Sequence, residues 1–138
     1  MIRLSGILLK SEEGGKYEDL QSIYRKTYTR DKKNQDGIYD LAGANLTGAN
    51  LTGAKLIGAN LAGANLTGAN LVRANLTGAK LAGANLAKAI LVGVILAGAN
   101  LEGADLTRVT LAGADLSGAT LAGANLAWAI MPNGERHS

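Results

Sequence analysis

The sequence predicts an all-β solenoid, and three observations predict it. Leu recurs at 41, 46, 51 and every fifth residue through 126, 18 positions of 18, and Met131 falls on the next. Gly stands two residues after that Leu in 14 of the 18 units. The apolar content is almost wholly Leu (22) and Ala (24), with no Phe among 138 residues, which implies an interior that is the same at every level. Fivefold spacing fits neither the helical nor the strand period. On a helix the Leu would spread around the whole circumference and leave no apolar face. A Gly in nearly every unit would also cost a helix about 1 kcal/mol apiece relative to Ala.

Residues 1–38 lack the repeat and hold most of the charged residues. Met1 to Leu9 reads equally as a strand or a helical turn. From 16 to 31, Tyr17, Leu20, Ile23, Tyr24 and Tyr28 follow a helical stripe, with Glu18 and Asp19 early and Arg25, Lys26 and Arg30 late, an order that suits the helix dipole. Gly14-Gly15 gives a break before it. The expectation is an amphipathic helix over 16–31 that caps the first coil, since a solenoid end exposes apolar surface and unpaired backbone. A basic arm for nucleic acid, built on Arg25, Lys26, Arg30, Lys32 and Lys33, is the alternative, but nearby acids nearly cancel its charge.

Residues 39–131 are the repeat, Ala-Asn-Leu-x-Gly. Ala stands two before Leu in 15 of 18 units, the exceptions being Tyr39, Val94 and Val109. Asn or Asp stands one before it in 12 of 18. A short extended piece puts Leu and that Ala on one side and the Asn on the other. The next two residues then form a tight turn, where Gly accepts a positive φ. Repeated corners close a coil, and coils stack about 4.8 Å apart. Arg73, Lys88, Arg108 and Trp128 replace Gly and resist a positive φ, so type I and type II corners both stay open. Residues 132–138 form a C-terminal tail. Trp128, Ile130 and Met131 before Pro132-Asn133-Gly134 read as a closing lid or a docking patch.

These units resemble the pentapeptide-repeat family, whose pattern is Ala-(Asp/Asn)-Leu-x-x. The resemblance implies a right-handed quadrilateral β-helix with four units per coil. The 18 units then make about four and a half coils, a prism about 20 Å long. Leu everywhere, never Phe, departs from the family mean, and Val94 and Val109 are expected to bulge the wall slightly. Family members are abundant in cyanobacteria, and most lack an assigned activity.

Composition excludes much chemistry. There is no Cys, so disulfides and thiolate sites are out, and the one His is His137 in the tail. The net charge is +3, and the longest apolar run, Ala89 to Ala99, is too short to span a bilayer. No secretion signal is recognisable, so a cytoplasmic location is expected and the Asn-Leu-Thr triplets at Asn45, Asn50, Asn65 and Asn75 are not expected to carry sugar. Asp105 and Asp115 lie ten residues apart, on opposite sides of a four-sided coil, and cannot act as a pair. A filled solenoid offers no pocket, so no enzymatic activity, cofactor, metal or small-molecule substrate is expected.

Stacking by 20 gives columns. Asn45, Asn65, Asn85, Asp105 and Asn125 form a ladder expected to bond nearby backbone. Lys88, Arg108 and Trp128 share a column in which Arg108 could lie against the indole. Ile90 and Ile130 share another, Val72 and Val92 lie beside it, and Ile95 sits on the next face. This apolar patch suggests an unidentified protein partner or a homodimer contact. Membrane and nucleic acid are not expected as partners. The reading is a non-enzymatic structural or protein-interaction module. The alternative implied by the resemblance is a DNA mimic that binds a type II topoisomerase. Mimicry needs rows of carboxylates, whereas the repeat has Glu102, Asp105 and Asp115 against Lys55, Arg73, Lys80, Lys88 and Arg108. Ice binding is weaker still, because its Thr ladder is broken: Thr47, Thr67, Ala87, Thr107, Ala127.

Overall fold

A computed structural model describes residues 8–10, 17–19 and 40–138. Two short strands come first. β1, Leu8–Lys10, pairs antiparallel with β2, Tyr17–Asp19, setting Leu8 opposite Asp19 and Lys10 opposite Tyr17. This corrects the helix expected from residue 16 over its first turn. The backbone of Tyr17–Asp19 finds ladder partners in Leu8–Lys10, across six intervening residues, and such pairing overrides a local helical preference. The rest of the expected helix and the basic-arm residues Arg25, Lys26, Arg30, Lys32 and Lys33 lie outside the described residues.

From Asp40 the chain advances 20 residues per coil. Fifteen parallel bridges join residue i to i+20, from Asp40–Asn60 to Thr110–Ile130. Each interior unit bonds both neighbouring coils. The Leu66 amide donates to the Asn85 carbonyl at 2.6 Å and the Gly68 amide to Ala87 at 2.9 Å, while the Asn65 amide reaches back to Ala44 at 2.9 Å. Buried backbone is thereby satisfied without long strands.

The corners are type II turns. In the unit at Leu66, the Ala69 amide donates to the Leu66 carbonyl at 3.0 Å. The third turn residue has φ between 57° and 69° in all 18 units, whereas the second is never positive. The open question of turn type is thus settled the same way throughout, including at Arg73 (57°), Lys88 (61°), Arg108 (58°) and Trp128 (63°). The ladder dictates this. The amides of Arg73, Lys88 and Arg108 donate to Val92, Thr107 and Ala127, each at 2.9 Å, as a Gly amide would. A different turn would swing that amide out of line.

Leu41 to Leu111 are at most 2% exposed along the axis, Leu61 and Leu66 among them, with a lining of buried Ala. Van der Waals contact between identical layers fills this interior at high density. Val94 and Val109 are fully buried in Ala positions. The coil-to-coil bonds just after them, Ile95 to Ala74 at 3.0 Å and Thr110 to Ala89 at 3.1 Å, exceed the 2.8–2.9 Å of their equivalents. The expected widening of the wall is that small.

The C-terminal end differs from the rest. Leu116, Leu121, Leu126 and Met131 are only partly buried. The amides of Leu116, Gly118, Leu121, Gly123 and Leu126 make no hydrogen bond among the described residues. One side alone is closed, because the chain after Met131 folds back. Pro132 sets a tight turn, Gly134 follows with φ 85°, and the Met131 amide donates to Glu135 at 2.7 Å. Ile130 pairs antiparallel with Arg136, and the Trp128 amide donates to His137 at 3.1 Å.

Candidate functional site

The outward polar residues serve the fold. Each Asn or Asp before Leu accepts, through Oδ1, the amide two residues on, as from Thr67 to Asn65 at 3.1 Å. Where that residue is Thr or Ser its hydroxyl donates to the same oxygen: Thr67 to Asn65 at 2.6 Å, Thr107 to Asp105 at 2.5 Å, Ser117 to Asp115 at 2.6 Å. These contacts pre-form the corner. They also engage the hydroxyl hydrogens of Thr47, Thr67 and Thr107, the residues of the broken ladder. The hydroxyl and amide of Ser117 hold the Asp115 carboxyl below its ordinary range. With a 20-residue register, Asp105 and Asp115 lie half a coil apart on opposite walls.

One wall differs from the other three. It runs from the corner at Lys88 to the corner at Gly93, and the register stacks Asn70, Ile90, Thr110 and Ile130 down it. Val72, Val92 and Ala112 form the parallel column beside Gly93, spaced like the coils at about 4.8 Å. Ile90 is 42% exposed, Val92 37%, and Val72 and Ile130 are half-buried. The corner on one side carries Lys88, Arg108 and Trp128, the last 57% exposed. Seven of the eight residues of the predicted patch, Val72, Lys88, Ile90, Val92, Arg108, Trp128 and Ile130, therefore share this wall. Ile95 lies around the Gly93 corner on the next. The apolar stripe is continuous from Val72 to Val92 and Ile90, then interrupted by Thr110 before Ile130. The stacking of Arg108 on Trp128 does not form among the described residues, although the two occupy adjacent rows.

Two residues were left out of the predicted patch. Arg73 stands at the opposite corner of the same wall, its Cγ reaching to 3.4 Å from where a Cβ on Gly93 would sit. Its interruption of the Gly pattern was the available signal. Ile57, 49% exposed, stands after Leu56 on the wall that bears Ile95, but two coils away from it. With Arg73 included, all four non-glycine residues of positive φ border one wall. Such strain persists where the surrounding structure over-determines it, and it clusters at functional sites.

No helix among the described residues is long and apolar enough to cross a membrane, and no group of metal-ligating side chains occurs among them. Among solved structures the chain is similar to a pentapeptide repeat protein of the Arabidopsis thaliana thylakoid lumen, with 33% identity and a TM-score of 0.63. The match covers 65% of this chain and 63% of that one, so the chain spans less than two thirds of that relative. It is also similar to HetL, a pentapeptide repeat protein involved in heterocyst differentiation regulation from the cyanobacterium Nostoc, with 33% identity, 72% and 68% coverage and a TM-score of 0.40. A further Nostoc pentapeptide repeat protein matches at 34% identity over 75% and 72%, with a TM-score of 0.37. No curated protein matches the chain. The family model for pentapeptide repeats matches eight times, over residues 40–71, 69–108 and 99–133. With that match laid over the 20-residue register and the Leu-filled axis, the chain belongs to the pentapeptide-repeat family, whose fold is a right-handed quadrilateral β-helix.

Proposed function

We propose that the chain is a non-enzymatic protein-interaction module and that the wall between the Lys88 and Gly93 corners is its contact surface. The observation that carries this is the convergence of two independent departures from the repeat. The four corners where Gly is replaced border the same wall on which Asn and Thr give way to Val and Ile. A repeat drifting without selection would scatter these changes over all four walls. On the other walls the outward Asn and Asp side chains are engaged in Asx turns, and the large exposed apolar residues there are Ile57 and Ile95.

A wall-flattened variant tests the reading. Arg73, Lys88, Arg108 and Trp128 become Gly, Ile90 becomes Asn and Val92 becomes Thr, all residues the repeat itself uses. The matched control changes as many outward residues on the opposite wall. Captured from the native host by crosslinking, the wild type and the control should retain a shared partner that the flattened protein loses, with circular dichroism unchanged. Equal capture by all three would refute the proposal.

A further inference from the structure

We propose that this wall seats an acidic amphipathic helix of a partner protein, one whose apolar stripe is flanked on both sides by carboxylates. The inference rests on the interaction reading above and names the chemistry of the partner. The coils of the wall carry no Asp or Glu between its two corners, and the folded-back tail sets Glu135 and Arg136 beside Ile130 at its lower end. Lys88 and Arg108 rise on one edge and Arg73 on the other, and none of the three has an ion-pair partner among the described residues. The nearest acids of the coil, Asp105 and Asp115, lie around the corners on the flanking walls, each bonded to the Thr or Ser two residues on. Between the cationic edges run Val72, Val92 and Ala112 in one column and Ile90 and Ile130, with Thr110 between them, in the other.

A cationic rim on both sides of an apolar strip is the complement of a helix with Leu-type residues at i, i+3, i+4 and i+7 and Glu or Asp beside them. The sizes agree. From the row of Val72 to that of Ile130 is three coil steps, about 14 Å, which about ten helical residues cover. A second copy of this wall would set cations against cations with no carboxylate to pair them. A nucleic-acid duplex would meet four cations, Arg136 beside Ile130 included, around an Ile and Val centre, fewer phosphate contacts than such binding usually uses.

Trp128, the one Trp of the chain, stands at the rim as a reporter. The full chain is titrated with stapled helical peptides of about ten residues, one with a Leu stripe flanked by Glu and one with the same stripe flanked by Lys, while Trp fluorescence is followed. The Glu peptide should give a saturable blue shift that weakens at high salt. Lys88→Gly with Arg108→Gly restores the repeat's own residue and keeps the fold, and it should weaken binding by about tenfold or more. Ile90→Asn should weaken it too, and the Lys peptide should give no shift. Absence of a saturable shift with the Glu peptide, or equal shifts from both peptides, overturns the proposal. So does a tighter saturable shift with phosphatidylserine vesicles or a short DNA duplex that the double Gly variant abolishes, because the wall would then be assigned to lipid or nucleic acid. Loss of the host partner in the flattened variant without binding of the Glu peptide removes the acidic helix and leaves the interaction reading standing. Failure of both removes both.

Discussion

Arg108 holds a backbone conformation that its own Cβ resists, and the fold supplies it with no ion pair in return. A left-handed L residue costs roughly 1–2 kcal/mol. Replacement by Gly recovers that strain but loosens the unfolded chain, by about 0.4–1 kcal/mol. Arg108→Gly should therefore stabilise the protein by about 0.5–1 kcal/mol, seen as a higher denaturant midpoint at unchanged slope. If the variant is less stable, the corner is not a site where stability has been given up for another purpose. At Asp115 the Ser117 hydroxyl and amide depress the folded-state pKa. The stabilisation is therefore fully present above the ordinary carboxylate value, about 3.9, and is lost as pH falls through the lower folded value. Ser117→Ala should move the Asp115 titration up toward the ordinary range in a carboxyl-detected NMR titration. An unmoved curve would dissociate that carboxyl from its neighbour.

The pentapeptide unit makes a sharp distinction between inside and outside. Leu81→Ala empties a layer that no neighbour can refill and should cost about 2–5 kcal/mol. Ala84→Leu overfills the same layer and should cost about 1–3 kcal/mol. Ile90→Asn, on the wall, should change stability by about 0.5 kcal/mol or less. Equal effects at the three sites in chemical denaturation would contradict the packing described. This inside–outside division was readable from spacing alone, because in a closed coil the period decides which side chains converge. Turn type was not, since the ladder bonds from Arg73, Lys88 and Arg108 impose it against local preference, and those bonds exist only once coils stack. Nor was β2 readable, because Tyr17–Asp19 is held by Leu8–Lys10 rather than by its own neighbours. The patch was partly legible. Its columns follow from the register, but the role of Arg73 as the opposite rim needed the corner to be placed in space.

At the scale of the molecule each coil touches only its neighbours, so stability is a near sum of layers and is weakest where a neighbour is missing. Hydrogen exchange should show this directly. The Leu66 and Leu86 amides, bonded within the stack, should exchange only on global opening, whereas those of Leu116, Leu121 and Leu126 should exchange fast. Uniform protection would mean that the lower end is covered. The 20-residue register has a further consequence. A coil of four equal quarters behaves like a staircase whose landings look alike, so its height and its compass bearing can be edited separately. Adding one pentapeptide after Leu96 would keep every Leu on the axis yet rotate all that follows by a quarter-turn, carrying Ile130 off the wall of Ile90 and moving Arg108 and Trp128 from its Lys88 edge to its Gly93 edge. Adding four would restore their bearing one storey lower. Lineages of this chain can thus change length freely, but only in whole turns if what the wall presents is to survive.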